Sequence, residues 1–361
     1  MSINVEAATA ALQTVIDPNT GRDLVSSRVA RNIRVDGADV SVDVELGYPA
    51  ASQIPALRKA VIAALKGAGA DNVSANVTQK IVAHTVQRGV KVMPNVKNII
   101  AVSSGKGGVG KSTVAANLAL ALAAEGATVG MLDADIYGPS QPTMLGVFGQ
   151  PQSLDGQTME PLENHGIQVA SIGLLIDPDQ PMVWRGPMVS QALQQLLAQT
   201  NWRELDYLVI DMPPGTGDIQ LTLSQSVPVT GAVVVTTPQD IALLDAKKGL
   251  KMFEKVGIPI LGLVENMAVH VCSNCGHAEH IFGSGGAERM SKEYGVEVLG
   301  SLPLDMRIRQ QADSGTPTVV AEPDSDITAA YKAIARKVAV AIAVKAKDMS
   351  LKMPAIKVSN T

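Results

Sequence analysis

The stretch Gly105-Lys106-Gly107-Gly108-Val109-Gly110-Lys111-Ser112-Thr113 constrains the fold of this chain more than any other. It follows the apolar run Ile99-Ile100-Ala101-Val102 and opens a helical pattern at Ser112–Ala124. Strand, glycine-rich loop, Lys-Ser and helix in that order make a phosphate-binding loop. Glycines let backbone N–H groups turn inward around anionic oxygens without Cβ clashes. The helix N-terminus adds partial positive charge. Lys111 is placed to reach the β and γ phosphates, and the Ser112 hydroxyl to ligate Mg2+. Residues 105–113 are therefore the expected nucleotide site, with ATP and Mg2+ as ligands.

Such a loop belongs at the carboxyl edge of a parallel sheet. The rest of this region agrees. Strand-like runs at Asn98–Ser104, Thr128–Asp133, Ile167–Ile172, Tyr207–Asp211, Ala232–Thr237 and Ile260–Val264 alternate with helical patterns at Ser112–Ala124, Pro187–Ala198 and Ile241–Val256. The expectation is an α/β fold with a doubly wound, mainly parallel sheet. Hydrophobic residues make up 46% of the chain and aromatics only 3%, so Ala, Val, Ile and Leu must supply the packing. A last helix is expected over about Ile327–Val344. Its stripe Ile327, Tyr331, Ile334, Val338 and Ile342 faces inward, and Lys332 and Arg336 lie on a solvated face.

A chain of 361 residues has room for two domains. Before residue 95 the pattern differs. Residues 10–15 read as helical and end at the turn Asp17-Pro18-Asn19-Thr20-Gly21. Ala38–Leu46 alternates with period two, Leu57–Leu65 has helical spacing, and Val73–Val82 alternates again. The expected organisation is a small α+β domain at 1–83, a linker at 84–96 and the nucleotide-binding domain at 97–361.

Several classes are not expected. Thirty Lys and Arg against 34 Asp and Glu give a net charge of −4, which disfavours general nucleic-acid binding. No apolar run approaches the roughly 18 residues of a membrane span. The start, Met1 to Ala7, lacks a basic segment followed by an apolar core. Two cysteines make no disulfide framework. These points lead to the expectation of a cytoplasmic protein without membrane or nucleic-acid partners.

Two strand-like runs end in carboxylates. Asp133 closes Met131-Leu132-Asp133, expected beside the phosphate loop, and is the candidate for positioning a nucleophilic water. Asp211 closes Leu208-Val209-Ile210-Asp211 and has the position of a Mg2+-associated acid. Met212-Pro213-Pro214-Gly215-Thr216-Gly217-Asp218 reads as a switch loop. Asn266 is a candidate to read the adenine base. Lys106 has no duty on its own nucleotide. Its spacing resembles the deviant phosphate loop of the MinD/ParA/nitrogenase-reductase class. That resemblance implies that Lys106 reaches the partner's nucleotide in a face-to-face dimer.

Both cysteines fall in Val271-Cys272-Ser273-Asn274-Cys275-Gly276, a polar, glycine-bearing loop. Two metal readings stay open on the residues alone. His277 and His280 complete Cys272 and Cys275 as a tightly spaced tetrahedral zinc site. Alternatively, a 4Fe–4S cluster wants four thiolates, which two chains supply.

The motifs together are Gly105 to Ser112, Asp135-Ile136-Tyr137-Gly138-Pro139-Ser140, Trp184-Arg185-Gly186-Pro187-Met188, Asp211 to Asp218, Glu265-Asn266-Met267, Cys272-x-x-Cys275-Gly276 and Ile281-Phe282-Gly283-x-Gly285-Gly286. Over about residues 95–345 the chain resembles the Mrp/ApbC family of P-loop ATPases that carry iron–sulfur clusters. The resemblance implies ATP binding, slow hydrolysis, a homodimer, and a 4Fe–4S cluster bridged between subunits by Cys272 and Cys275. It also implies transfer of that cluster to apo iron–sulfur proteins. The family's usual Cys-Pro-x-Cys stands here as Cys-Ser-Asn-Cys, which leaves both ligands. Residues 8–83 are similar to the small domain of iron–sulfur assembly factors. That domain often carries a cysteine after its central strand, whereas Leu46-Gly47-Tyr48-Pro49-Ala50 has none, so docking is expected of it rather than metal handling. The rival readings are a MinD/ParA-type positioning ATPase and a zinc-stabilised ATPase without a cluster.

Overall fold

The computed structural model describes residues 3–84, 93–175 and 186–350. Two compact units are present: one formed by the residues up to Val82 together with those from Ala339 on, the other running from Ala83 to Val338. Most of the stretch 84–96 expected as a linker, and Trp184 and Arg185, lie outside the described residues.

In the smaller unit, α1 (Val5–Gln13) is capped by Asn4, whose side chain accepts from the Ala7 N–H at 2.8 Å. This helix lies earlier than the expected 10–15. The turn at Asp17 is as expected, with the Gly21 N–H donating to the Asp17 carbonyl at 2.8 Å. Strands β1 (Ala30–Asp36) and β2 (Asp39–Leu46) form an antiparallel hairpin, and β3 (Asn72–Gln79) pairs parallel to β2 after α2 (Ile54–Gly67). Val40, Val42, Val44 and Leu46 are buried, as their alternation demands, and so are Leu57, Val61 and Leu65 of α2. β1 has no such signature. It is polar, and a register shift between Arg31 and Arg34 breaks its alternation.

The larger unit is wound around β4 (Val96–Ser104), buried on both faces. There follow α3 (Lys111–Ala124), β5 (Val129–Asp133), α4 (Gln141–Met144), β6 (Leu162–Asn164), β7 (Ile167–Ser171) and α5 (Gly186–Gln199). Next come β8 (Leu205–Asp211), α6 (Asp218–Ser226), β9 (Gly231–Thr236), α7 (Asp240–Lys255) and β10 (Ile260–Glu265). A short hairpin, β11 (His270–Val271) and β12 (Ala278–Glu279), precedes α8 (Gly286–Tyr294) and β13 (Val298–Ser301). The sheet order is β13-β10-β9-β4-β8-β5-β7-β6, parallel throughout except for β6 against β7. The fold is therefore the doubly wound α/β class that the sequence leads one to expect. Chain connections leave β4 toward β5 on one side and arrive at β9 on the other, which opens a crevice at the carboxyl edge.

The last helix is longer than expected, Asp326–Ser350, and its stripe Ile327, Tyr331, Ile334, Val338 and Ile342 is buried. Arg336 departs from the expected solvated face. Its guanidinium meets Glu125, which is fully buried at the end of α3, at 2.6 Å. A buried carboxylate needs such a counter-charge, and this requirement outweighs the arginine's tendency to stay in water. No helix among the described residues is long and apolar enough to cross a membrane.

Candidate nucleotide site and cysteine hairpin

The phosphate loop links β4 to α3 by close backbone approach. A Cβ on Gly105 would stand 2.1 Å from the Asp245 carbonyl carbon in α7, and one on Gly110 would stand 2.2 Å from Asn266 Nδ2. Gly110 caps α3 with φ 79°, a left-handed conformation that costs glycine little. At Gly107 and Gly108 no described atom lies within 4 Å of where a Cβ would be, so the loop's crown is open. That open crown at a helix N-terminus suits a polyphosphate.

Beneath it lies a dense polar cluster. Lys111 is buried, and its ammonium is ion-paired with Asp211 and 3.1 Å from Ser112 Oγ. Asp211 is fully buried and its second oxygen accepts from Gln141 Nε2 at 2.9 Å. Ser112 and Asp211 together form a donor set of hydroxyl and carboxylate, which fits Mg2+. The strand that carries Asp133, β5, is one step removed from β4. β8 lies between, and Asp133 pairs in register with Asp211. This pairing sets the Asp133 carboxylate beside Asp211, where it feels the charges of Asp211 and Lys111.

Asp133 is fully enclosed. Its Oδ2 accepts from the Ser140 and Gln141 N–H groups, each at 3.0 Å, and from Ser171 Oγ at 3.2 Å. Its Oδ1 accepts from the Asp135 N–H at 3.1 Å. Burial, then the negative charge of Asp211, pushes its carboxyl up to about 7 against these bonds. Asp133 thus holds the loop 135–141 in place. Asp135, which sequence reasoning passed over, is partly exposed beside Lys111 and Asp211, and burial raises its carboxyl too. Its sequence signals are the second acid of Asp133-Ala134-Asp135 and its place at the head of the stretch Asp135-Ile136-Tyr137-Gly138-Pro139-Ser140. Gln141 was also missed, since no motif marks it.

The other candidates frame this cluster. Lys106 Nζ rests 3.4 Å from Gln239 Oε1 of its own chain. Asn266 donates from Nδ2 to the Val109 carbonyl at 2.9 Å, tying the end of β10 to the phosphate loop. The loop after β8 is bonded to β4, with the Met212 and Gly215 N–H groups donating to the Val102 and Ser104 carbonyls, each at 3.0 Å.

The cysteines sit on a β-hairpin. His270 pairs with Glu279 and Val271 with Ala278. The Cys272 N–H donates to the His277 carbonyl at 2.9 Å, and the Gly276 N–H returns to the Cys272 carbonyl at 2.8 Å. Cys272 is half-buried and Cys275 exposed. The N–H groups of Cys275 and Asn274 point at the Cys272 sulfur and lower its thiol from the ordinary value, which favours the thiolate. His280 Nδ1 bonds the Ala268 carbonyl at 2.7 Å. Among the described residues, no three His, Cys, Asp or Glu side chains are gathered at one metal position.

Residues 95–339 match the sequence profile of the NUBPL iron-transfer P-loop NTPase, a ParA-type family. The chain belongs to this iron-transfer P-loop NTPase family. Residues 6–78 match a second profile, that of an iron–sulfur cluster assembly protein. Named relatives resemble the chain closely. An iron–sulfur cluster carrier protein of Pseudomonas fragi is 62% identical over 269 residues, covering 74% of this chain and 94% of that one. One from Synechocystis is 47% identical over 353 residues, covering 93% and 97%. Among solved structures, a nucleotide-binding protein of Archaeoglobus fulgidus in complex with ADP is 39% identical, with a TM-score of 0.57, over 64% of this chain and 90% of that one.

Proposed function

We propose that this chain is a cytoplasmic, homodimeric iron–sulfur cluster carrier that binds and hydrolyses ATP and passes its 4Fe–4S cargo to apoproteins. The observation that carries the reading is the hairpin. It presents two thiols, one of them biased toward thiolate, with no third ligand gathered by the described residues. A 4Fe–4S cluster wants four thiolates, and a two-fold dimer supplies Cys272 and Cys275 twice. The names of the Pseudomonas and Synechocystis relatives support the cargo, and the ADP complex supports the nucleotide.

Within the nucleotide site, residues 105–113 cradle the phosphates, and Ser112 and Asp211 hold Mg2+, which supplies charge neutralisation when bound. Lys111 moves from Asp211 to the phosphates. Asp133, enclosed by its own loop bonds, positions the attacking water through the loop 135–141 that it holds. Lys106 leaves its single long contact with Gln239 to reach the partner subunit's nucleotide. Asn266 gives one of its two amide N–H groups to Val109, which leaves the second N–H and Oδ1 for the adenine base.

Anaerobic reconstitution tests the cargo. About four iron and four sulfide per dimer are expected. Cys272→Ala and Cys275→Ala should each abolish the cluster and spare ADP binding, while His277→Ala and His280→Ala retain it. One zinc per chain, no sulfide, and metal loss in either histidine variant would establish the zinc-stabilised ATPase instead.

A further inference from the structure

We propose that Gln141 is a positioning residue for the Mg2+–nucleotide site, holding Asp211 in place when Lys111 turns to the phosphates. This rests on the nucleotide reading above. Gln141 is fully buried at the start of α4. Its Nε2 lies 2.9 Å from the Ser112 carbonyl and 2.9 Å from Asp211 Oδ2. Both partners are acceptors, so the amide orientation is fixed: a flip would set oxygen against two oxygens. Its backbone N–H donates to Asp133 Oδ2 at 3.0 Å. One residue thus touches both strand-end carboxylates and the first turn of α3.

The division of Asp211 is the decisive point. Lys111 occupies Oδ1 and Gln141 occupies Oδ2. When Lys111 leaves for a phosphate, Oδ1 loses its cation, and a buried carboxylate stripped of its partner is costly. Gln141 carries no charge to follow the phosphate. Its bond to Oδ2 persists and keeps Oδ1 turned to the side that Lys111 has vacated, where the divalent ion supplies the replacement charge. Gln141 Oε1, meanwhile, is buried without a hydrogen-bond partner among the described residues. A buried acceptor without a donor is a standing cost, and a water in the ion's shell is a donor of the required kind.

Calorimetric titration of ADP into the full chain, with Mg2+ and with a chelator, separates the outcomes. Gln141→Leu removes the donor and acceptor at similar volume. It should reduce the Mg2+-dependent gain in affinity about ten-fold, and leave affinity under chelator within about two-fold. Gln141→Glu keeps the shape and sets a second acid against Asp211, so it should lose more of the Mg2+-dependent gain. It also serves where the leucine variant fails to fold. Equal losses with and without Mg2+ would mean a merely structural amide and overturn the proposal, as would an unchanged Mg2+ dependence in both variants. A parent protein whose ADP binding does not respond to Mg2+ would instead sink the nucleotide reading itself.

Discussion

The buried pair of Lys111 and Asp211 holds opposite charges against each other with little water nearby. Removing one partner strands the other, at a cost of about 3–5 kcal/mol. Lys111→Ala should therefore abolish ATP turnover and also lower stability by that order in urea unfolding. Adding Asp211→Asn should recover most of the stability, because a neutral amide needs no counter-ion. A double variant no more stable than Lys111→Ala would refute this. Asp133 gives a pH signature. Its folded value is about 7 against an ordinary 3.8, so the folded state keeps a proton that the unfolded chain sheds. Its contribution to stability is full below about pH 3.8 and is lost as pH rises through about 7. Asp133→Asn should remove that fall from the stability–pH profile, and should also remove a rise in hydrolysis rate across pH 7, where the parent carboxyl ionises. Lys111, Ser112 and Asp211 were legible because a motif with a fixed spacing names them. Asp135 and Gln141 were not, since what places them is the fold of the loop that Asp133 holds.

At the level of elements, β4, the phosphate loop and α3 act as one piece, and the two glycines flanking Lys106 differ sharply. A methyl group on Gly105 meets the backbone of α7, whereas one on Gly107 meets open space. Gly105→Ala should cost about 1–3 kcal/mol as overpacking, read as a lowered melting temperature. Gly107→Ala should stay within about 0.5 kcal/mol of the parent. Equal effects would show that α7 does not approach the loop as described. The central strands were easy to read because burial on both faces demands unbroken apolar runs. β6 and β13, at the two ends of the sheet, carry three and four residues, too few to show a period. The helix α6 was hidden by its polar sequence, Asp-Ile-Gln-Leu-Thr-Leu-Ser-Gln-Ser. Its packing against α5, not its propensity, selects the helix.

For the whole molecule, the proposed dimer allows a test of Lys106 in mixed pairs. A Lys111→Ala subunit lends its Lys106 to the intact loop of a Lys106→Ala partner, so mixed dimers should regain about one active site of two. Mixed dimers shown to form but without recovered turnover would rule out action across subunits. The division of the chain also bears on truncation. A chain beginning at Val96 should still bind ADP and hold a cluster, because the phosphate loop and the hairpin both lie in the unit from Ala83 to Val338. It should aggregate more readily than the full chain, read by light scattering, since Ile342, buried in the full chain, falls among the residues grouped with the missing part. That grouping has a further consequence during synthesis. The larger unit is one uninterrupted stretch and leaves the ribosome whole, while the smaller unit is started first and must wait for residues beyond Ala339 before its last helical turns can pack. The first unit to be made is the last to be finished.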